Sequence, residues 1–482
     1  VATAPDSTTA PDSTTAPDST AAPDHTAQSP IAGLTVLILG LGVAGRSALD
    51  ACRALGARAI TVDPGAADAD HADIDAVPLS TVDVCMSSPG FAPHTREVRA
   101  VQDAGVEIWS EMEFAWRVRR KGVPWVLVTG TNGKTTTTQM VGAIAAAGGI
   151  DVAVCGNMGV PVIAAAQEDR GLVAVEIASL QLHFTSTLSP HAAVCLNADE
   201  DHLDWHGSVE AYRADKARVY RHVQVACVYG AHDPLVESMV ADAEVVEGAR
   251  AIGVTRGSPA VSQLGVVDGV LVDRAFHAGR HTEAIELGHV DDLAHLVAGE
   301  VPPYLVFNAL AASALARAVG VAPDAVARGL RDFSLDAHRT AHVATVDGVH
   351  YVDDSKATNA HAALAAFGGR APGSVVWIAG GQAKGQEFDG LVVALRDRLR
   401  AVVLIGADPE PLASALAGHA ADIPVTRIAP GDTVMQQAVR EARALAQQGD
   451  TVLLSPACAS FDQFRSYADR GEAFAEAVKA SA

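Results

Sequence analysis

The sequence predicts an α/β protein folded as two or three wound units, and three observations lead there. Short aliphatic and β-branched runs of strand length alternate with helix-length stretches from residue 34 to near the end. Glycine occupies 42 positions, as the tight loops between such elements require. At 482 residues the chain is too long for a single core. The net charge of −22 argues against nucleic acid or an anionic membrane surface as main partner, and no apolar run reaches the ~18 residues of a spanning helix. Cys52, Cys85, Cys155, Cys195, Cys227 and Cys458 show no CxxC spacing, so neither a disulfide frame nor a zinc knuckle is suggested. They read as small core residues in a reducing compartment, and the cytoplasm is the expected location.

Residues 1–30 repeat APDSTT from Ala4, Ala10 and Ala16 and offer nothing to bury, so a disordered tail is expected. It has neither the basic start nor the apolar centre of a signal peptide. Order is expected from Leu34. LTVLIL reads as a strand, followed by Gly40-Leu-Gly42-Val43-Ala44-Gly45, a helix through Leu55, and a second strand ending in Asp63. This GxGxxG with a following acid suggests NAD, Asp63 on a ribose; the narrower reading is a nucleotide diphosphate at this crevice. Ser88-Pro89-Gly90 follows another strand on the same edge, and a helix over 95–104 and a strand over 106–109 continue the alternation. The basic stretch 117–121 marks a boundary.

VLVTGTNGKTTTT, residues 126–138, is the strongest single signal. A buried strand runs into Gly130-Thr131-Asn132-Gly133, then Lys134, Thr135 and Thr136 at the start of a helix. Unpaired amides and the positive end of a helix dipole suit an anion there. Lys134 adds a full charge for the outer phosphates, and the Thr135 hydroxyl suits Mg²⁺. Val128 stands where the strict GxxxxGK[ST] pattern has its first glycine. The strands 152–155, 172–177 and 192–196 follow, ending in Gly156-Asn157, carrying Glu176, and leading to Asn197. ADEDHLDWHG then holds Asp199, Glu200, Asp201, His202, Asp204 and His206, either a solvated acidic loop or a hard-cation site beside the phosphates. Lys216 lies on the next amphipathic helix, where a lone lysine reads as solvated. Asp268-Gly269 marks a hairpin, and a helix over 308–319 closes the middle unit.

From Ala337 a third unit presents the strands GVHYVDD, SVVWIAGG, AVVLIGAD and TVLLSP. The loops at their ends, 353–359, 380–385 and 455–464, carry lysine, serine and threonine where an open sheet meets its ligand.

Taken in order, GTNGKTT, VEIASLQL, EDHLDWHG, YRADKARVY, DDSKATN and SPACASFDQF resemble the Mur ligases over about residues 31–482. The likeness is strongest to the branch that adds D-glutamate. The resemblance implies three domains: an N-terminal Rossmann-like one for the UDP-substrate (31–120), a central P-loop ATPase-type α/β domain for Mg-ATP (121–336), and a C-terminal Rossmann-like one that binds D-glutamate and closes on ATP (337–482). The loop over 40–45 then holds a uridine diphosphate, not NAD. An NAD-dependent dehydrogenase would leave GTNGKTT and SPACASFDQF without a task.

The implied reaction is cytoplasmic peptidoglycan-precursor synthesis. ATP phosphorylates the carboxylate of UDP-N-acetylmuramoyl-L-alanine, and the D-glutamate amine displaces phosphate. By the same resemblance, residues 130–136, Asn308, Arg339 and Asp354 bind ATP, and Lys356 sits near the reacting phosphate. Thr135, Glu176, His202 and a CO₂-carbamylated Lys216 serve two Mg²⁺. Gly42, Val43, Ala44, Asp63, Ser88, Gly90, Asn157, Ser179 and Gln181 hold the UDP-substrate; Thr358, Lys384, Ser460 and Tyr467 hold D-glutamate. Neither nucleic acid nor membrane is an implied partner, and a monomer is expected. The sequence departs from the family's HNxxN run, having Tyr304-Leu305 before Asn308, from a serine at Ala178, and from GGxGK at Ala383. Sibling ligases that add other amino acids share the central motif, so the choice of D-glutamate rests on the third-unit loops.

Overall fold

The computed structural model of the protein describes residues 29–157, 160–297, 300–334, 340–368, 370–383 and 386–481. The expected tail therefore lies almost wholly outside the described residues, as do Arg339 and Lys384.

Three sheets organise the chain. The first contains β1 (Thr35–Leu39), β2 (Arg58–Val62), β3 (Val84–Ser87) and β4 (Glu107–Ser110), all parallel, in the order β2-β1-β3-β4. The second contains β5 (Trp125–Thr129), β6 (Val152–Gly156), β7 (Leu172–Glu176), β8 (Ala192–Cys195), β9 (Ala226–Gly230), β10 (Arg250–Val254), β11 (Gln263–Val267), β12 (Val270–Asp273) and β13 (Ile285–His289). Their order is β13-β12-β11-β10-β9-β8-β5-β7-β6, parallel from β6 to β11 and antiparallel at the last two joins. The third contains β14 (Ala341–Val346), β15 (Val349–Asp353), β16 (Val375–Gly380), β17 (Leu399–Ile405), β18 (Val425–Arg427) and β19 (Thr451–Leu454), in the order β14-β15-β19-β16-β17-β18. Only the β14–β15 pair there is antiparallel.

Every residue of β5 is buried, because helices cover both faces of a parallel sheet and a continuous apolar run is what fits there. Lys134–Ala147, Pro303–Ala318 and Pro323–Asp332 cover one face. On the other face one apolar cluster runs without a break from Ile31 to Met239, and Trp116 packs edge-on against Trp125 at 5.4 Å. Among the described residues no helix is long and apolar enough to cross a membrane.

The order of strands decides where ligands can gather. β1 lies between β2 and β3, and β5 between β8 and β7, so the chain leaves each in opposite directions and opens a crevice at its carboxyl end. In the third sheet β15, β19 and β16 are neighbours, which brings the loops after them to one edge.

Five strands, β9, β10, β13, β14 and β18, escaped the sequence. β14 and β18 lie at the third sheet's edges without a fully buried residue, so they lack an apolar run. The helix expected over 308–319 starts at Pro303, whose missing N–H costs nothing at a first-turn position. The hairpin forms as expected, with Asp268 and Gly269 at φ 49° and 80°, the left-handed pair of a type I′ turn.

Candidate active site

The loop after β5 is preformed. Asn197, just beyond β8, accepts the Asn132 N–H at 2.9 Å and donates its amide to the Asn132 carbonyl at 3.2 Å. The Thr131 hydroxyl donates to the Asp199 carbonyl at 2.8 Å and lies 2.7 Å from the Tyr212 hydroxyl. Lys134 curls over its own loop and donates to the Gly130 and Thr131 carbonyls at 2.8 and 2.9 Å. Gly133 has φ 85°, and a Cβ there would stand 2.7 Å from the Asn308 side-chain oxygen, so loop and helix touch through bare backbone. The amides of Thr135 and Thr136, in the first turn of Lys134–Ala147, accordingly lie at the loop with the helix dipole behind them.

Glu176 closes β7 and is buried; its carboxylate accepts the Asn157 amide at 3.1 Å. Gly156, at φ 118°, makes that possible, since a Cβ would fall 2.1 Å from the Glu176 carbonyl oxygen. Lys216 is only 2% exposed, on the helix Val209–Ala217, with its ammonium 4.8 Å over the Tyr212 ring. Burial, and after it the charge of Lys134, bring its pKa from 10.5 down to about 7. His202 stands apart in this arrangement: its backbone is left-handed at φ 51°, its side chain is 49% exposed, and its Nε2 lies 3.6 Å from Asp201. Among the described residues no three His, Cys, Asp or Glu side chains converge as a ready metal cage. The donor chemistry that is present, the Thr135 hydroxyl and Glu176 carboxylate on one cavity, suits a hard oxygen-seeking cation.

Two cavities join the second and third sheets' loops. One, of about 150 Å³, is walled by Asn132, Gly133, Thr136, Asn308, Tyr304 and Leu305 from the middle of the chain, and by Thr340, Asp354, Lys356 and Ala357 from beyond it. The other brings Thr135 and Glu176 together with Lys356 and Tyr467. Lys356 borders both. Asp354 accepts the Thr340 N–H at 3.1 Å and the Ser455 hydroxyl at 2.8 Å, which ties the loops after β15 and β19 together.

Gly42 precedes the helix Val43–Leu55, where Val43 is 71% exposed and Ala44 lies in the first turn. Asp63 accepts the Leu41 and Gly65 N–H groups, each at 2.7 Å, and those two bonds hold its pKa below the usual carboxylate range. It therefore fixes the loop's shape. Ser88 donates to the Gly40 carbonyl at 3.1 Å, and the Trp205 indole donates to the Pro89 carbonyl at 2.9 Å beside Gly90. Ser179 and Gln181 are buried with internal partners, Gln181 with Glu111 at 3.2 Å and Ser179 with His206 at 3.0 Å. Thr358 is half-buried, Ser460 is buried, and the Tyr467 carbonyl accepts the Ser355 hydroxyl at 2.8 Å.

Sequence reasoning missed Arg470. It is 1% exposed and donates to the Ser355 hydroxyl and carbonyl at 2.9 and 2.8 Å and to the Cys458 carbonyl at 3.1 Å. One guanidinium thus holds two of the three loops. A lone arginine near the start of a C-terminal helix gives no signal of this.

Residues 128–316 match the family model described as the Mur ligase middle domain, and 338–458 the one described as Mur ligase, glutamate ligase domain. The UDP-N-acetylmuramoylalanine–D-glutamate ligase of Streptomyces avermitilis is 50% identical over 465 residues, 93% of this chain and 98% of the relative. That of Streptomyces coelicolor is 48% identical over 94% of this chain and 99% of its own. Among solved structures, MurF ligase from Thermotoga maritima in complex with ADP shares the fold at 16% identity and TM-score 0.55, covering 95% of this chain and 97% of that one. The UDP-N-acetylmuramate-alanine ligase MurC of the same organism shares it at TM-score 0.52 and 16% identity, over 93% and 100%.

Proposed function

Because the chain belongs to the Mur ligase family, we propose that it is the ligase that joins D-glutamate to UDP-N-acetylmuramoyl-L-alanine, converting ATP to ADP and phosphate, in peptidoglycan-precursor synthesis. The observation that carries this reading is the cavity on which Thr135 and Glu176 meet Lys356 and Tyr467, because two separate loop systems must close on one phosphate for such a reaction.

A free carboxylate is a poor acyl donor, so the alanyl carboxylate must first attack the γ-phosphate of ATP. The acyl phosphate so formed loses phosphate when the D-glutamate amine attacks its carbonyl carbon. Every partner is anionic, and the residues answer that. Lys134 and the amides of residues 130–136 hold the triphosphate, and Lys356, on both cavities, follows the phosphate as it moves. Asn308 packs on the loop against the base, Asp354 takes the ribose, and Arg339 is assigned to the ATP phosphates by its match to the family. Thr135, Glu176 and His202 would hold Mg²⁺, expected at two positions, which when bound would supply positive charge against the phosphates and the carboxylate. An ammonium at Lys216 would repel such ions, and at a pKa of about 7 the neutral amine is available to combine with CO₂. The resulting carbamate adds an anionic oxygen ligand. The domains run 31–120, 121–336 and 337–482; the first holds the UDP group over Gly42, Val43, Ala44, Ser88 and Gly90, and the third D-glutamate over Thr358, Lys384, Ser460 and Tyr467.

The deciding experiment measures phosphate release with ATP, Mg²⁺ and UDP-N-acetylmuramoyl-L-alanine. Release is expected with D-glutamate and not with L-alanine, lysine or diaminopimelate; equal release with all, or none with D-glutamate, overturns the assignment.

A further inference from the structure

We propose that Ser179, His206 and Asp215 form a buried relay that positions the segments carrying three of the proposed Mg²⁺ ligands, Glu176, His202 and Lys216, with His206 as its pivot. His206 Nδ1 lies 3.0 Å from Asp215 Oδ2, and His206 Nε2 lies 3.0 Å from Ser179 Oγ. Its side chain is completely buried. In the neutral imidazole Nδ1 donates to the carboxylate, which leaves Nε2 to accept the serine hydroxyl. Asp215 is fixed in turn by His183 Nδ1 at 2.7 Å and Arg218 Nε at 3.0 Å.

The placement of these three along the chain gives the relay its purpose. Ser179 lies three residues after Glu176, His206 four after His202, and Asp215 immediately before Lys216. Glu176, His202 and Lys216 therefore each sit near one member of the relay in the chain, and the three come from different elements. The His202 element needs such a tie most. Leu203–His206 is a single helical turn, too short to persist by itself, and His202 precedes it in a left-handed conformation. One turn before Asp215 on Val209–Ala217, Tyr212 packs edge-on against the His206 ring at 5.3 Å and reaches Thr131, so this helix is fastened to the phosphate loop and to the relay at once.

A serine, histidine and aspartate in hydrogen-bonded series also suggests a nucleophile. Burial excludes it: Ser179 is 2% exposed and borders neither cavity of the site. These are positioning residues.

The proposal rests on Glu176, His202 and Lys216 facing the metal, and its test separates the two ideas. Mn²⁺ binding is read by EPR on the full chain saturated with a non-hydrolysable ATP analogue, alongside the Mg²⁺ concentration for half-maximal turnover. His206→Phe is expected to weaken Mn²⁺ binding by about tenfold or more, as removal of the groups that orient metal ligands does. Nucleotide affinity without metal should stay as in the parent. His206→Asn, which keeps a donor for Asp215, should recover part of the loss. Parental Mn²⁺ binding in His206→Phe, with binding lost in Glu176→Ala, overturns the relay while leaving the ligand assignment intact. Parental binding in Glu176→Ala overturns the ligand assignment, and the relay with it. If His206→Phe does not fold, Ser179→Ala decides, since it removes one hydrogen bond and little volume: weaker Mn²⁺ binding supports the relay, and unchanged binding refutes it.

Discussion

The Tyr212 hydroxyl lies 2.7 Å from the Thr131 hydroxyl, and this bond links the helix that carries Lys216 to the phosphate loop. The Thr131 proton is used on the Asp199 carbonyl, so the tyrosine donates. Tyr212→Phe keeps the ring beneath the Lys216 ammonium and removes only this donor. A loss of about 1 kcal/mol of stability is expected, with a higher KM for ATP because the loop is freed on one side. Urea unfolding and ATP titration of turnover check both; an unchanged KM would mean that Asn197 and the Thr131–Asp199 bond suffice to hold the loop.

Lys216 should leave a mark on stability against pH. Its pKa is about 7 in the fold against an ordinary 10.5, so between those values the unfolded chain holds a proton that the folded chain lacks. Unfolding takes up that proton, and stability therefore rises with pH across the window. Lys216→Met should flatten the rise and be the more stable form below pH 7. Unfolding midpoints at several pH values in CO₂-free buffer test this; parallel curves for the two proteins would assign the slope to other groups.

For turnover, Lys216→Ala should remove most activity, and short carboxylic acids such as acetate or propionate should restore part of it by filling the space of the carbamate. Full activity in the unsupplemented variant would eliminate the carbamate from the mechanism.

The parts legible in the sequence are those where backbone conformation demands a residue type. Gly133 and Gly156 stand where a Cβ would strike Asn308 or Glu176, so the loops they serve can be read in one dimension. Asp63 was legible as a loop acid, yet its bonds to Leu41 and Gly65 show why an acid alone does not identify a cofactor. Illegible were the contacts made across the sheet edges. His206 sits among five acidic or histidine neighbours and reads as part of a charged loop, although the fold buries it against Ser179 and Asp215. β14 and Arg470 were hidden for opposite reasons, an exposed strand and a buried charge.

The departure at Leu305 is fixed by packing. Where the family run has asparagine, this leucine is 1% exposed within the apolar cluster beneath Pro303–Ala318. Leu305 also borders the smaller cavity, so Leu305→Asn exchanges apolar contacts of that cluster for an amide at the cavity wall; a cost of about 2–3 kcal/mol of stability is expected, with no gain in ATP affinity. Tighter nucleotide binding in that variant would show that the site tolerates the family residue and that the leucine weakens it.

Arg470 offers a separable test of the third unit. Its guanidinium is shared between Ser355, in the loop after β15, and Cys458, in the loop after β19, and burial lowers its pKa to about 10. It remains a cation at neutral pH, surrounded by carbonyls that find no other donor of that shape. Arg470→Met matches its length but leaves those acceptors unpaired, at a cost of roughly 3 kcal/mol. The same loops carry Thr358 and Ser460, so their loosening should raise KM for D-glutamate. The residues proposed for the UDP group, Gly42, Val43, Ala44, Ser88 and Gly90, lie on segments after β1 and β3 of the first sheet that Arg470 does not touch, so the KM for the UDP-substrate should not move. A rise in both constants would mean that the arginine supports closure of the whole molecule, whereas a rise in the D-glutamate constant alone ties amino-acid recognition to the loops it spans.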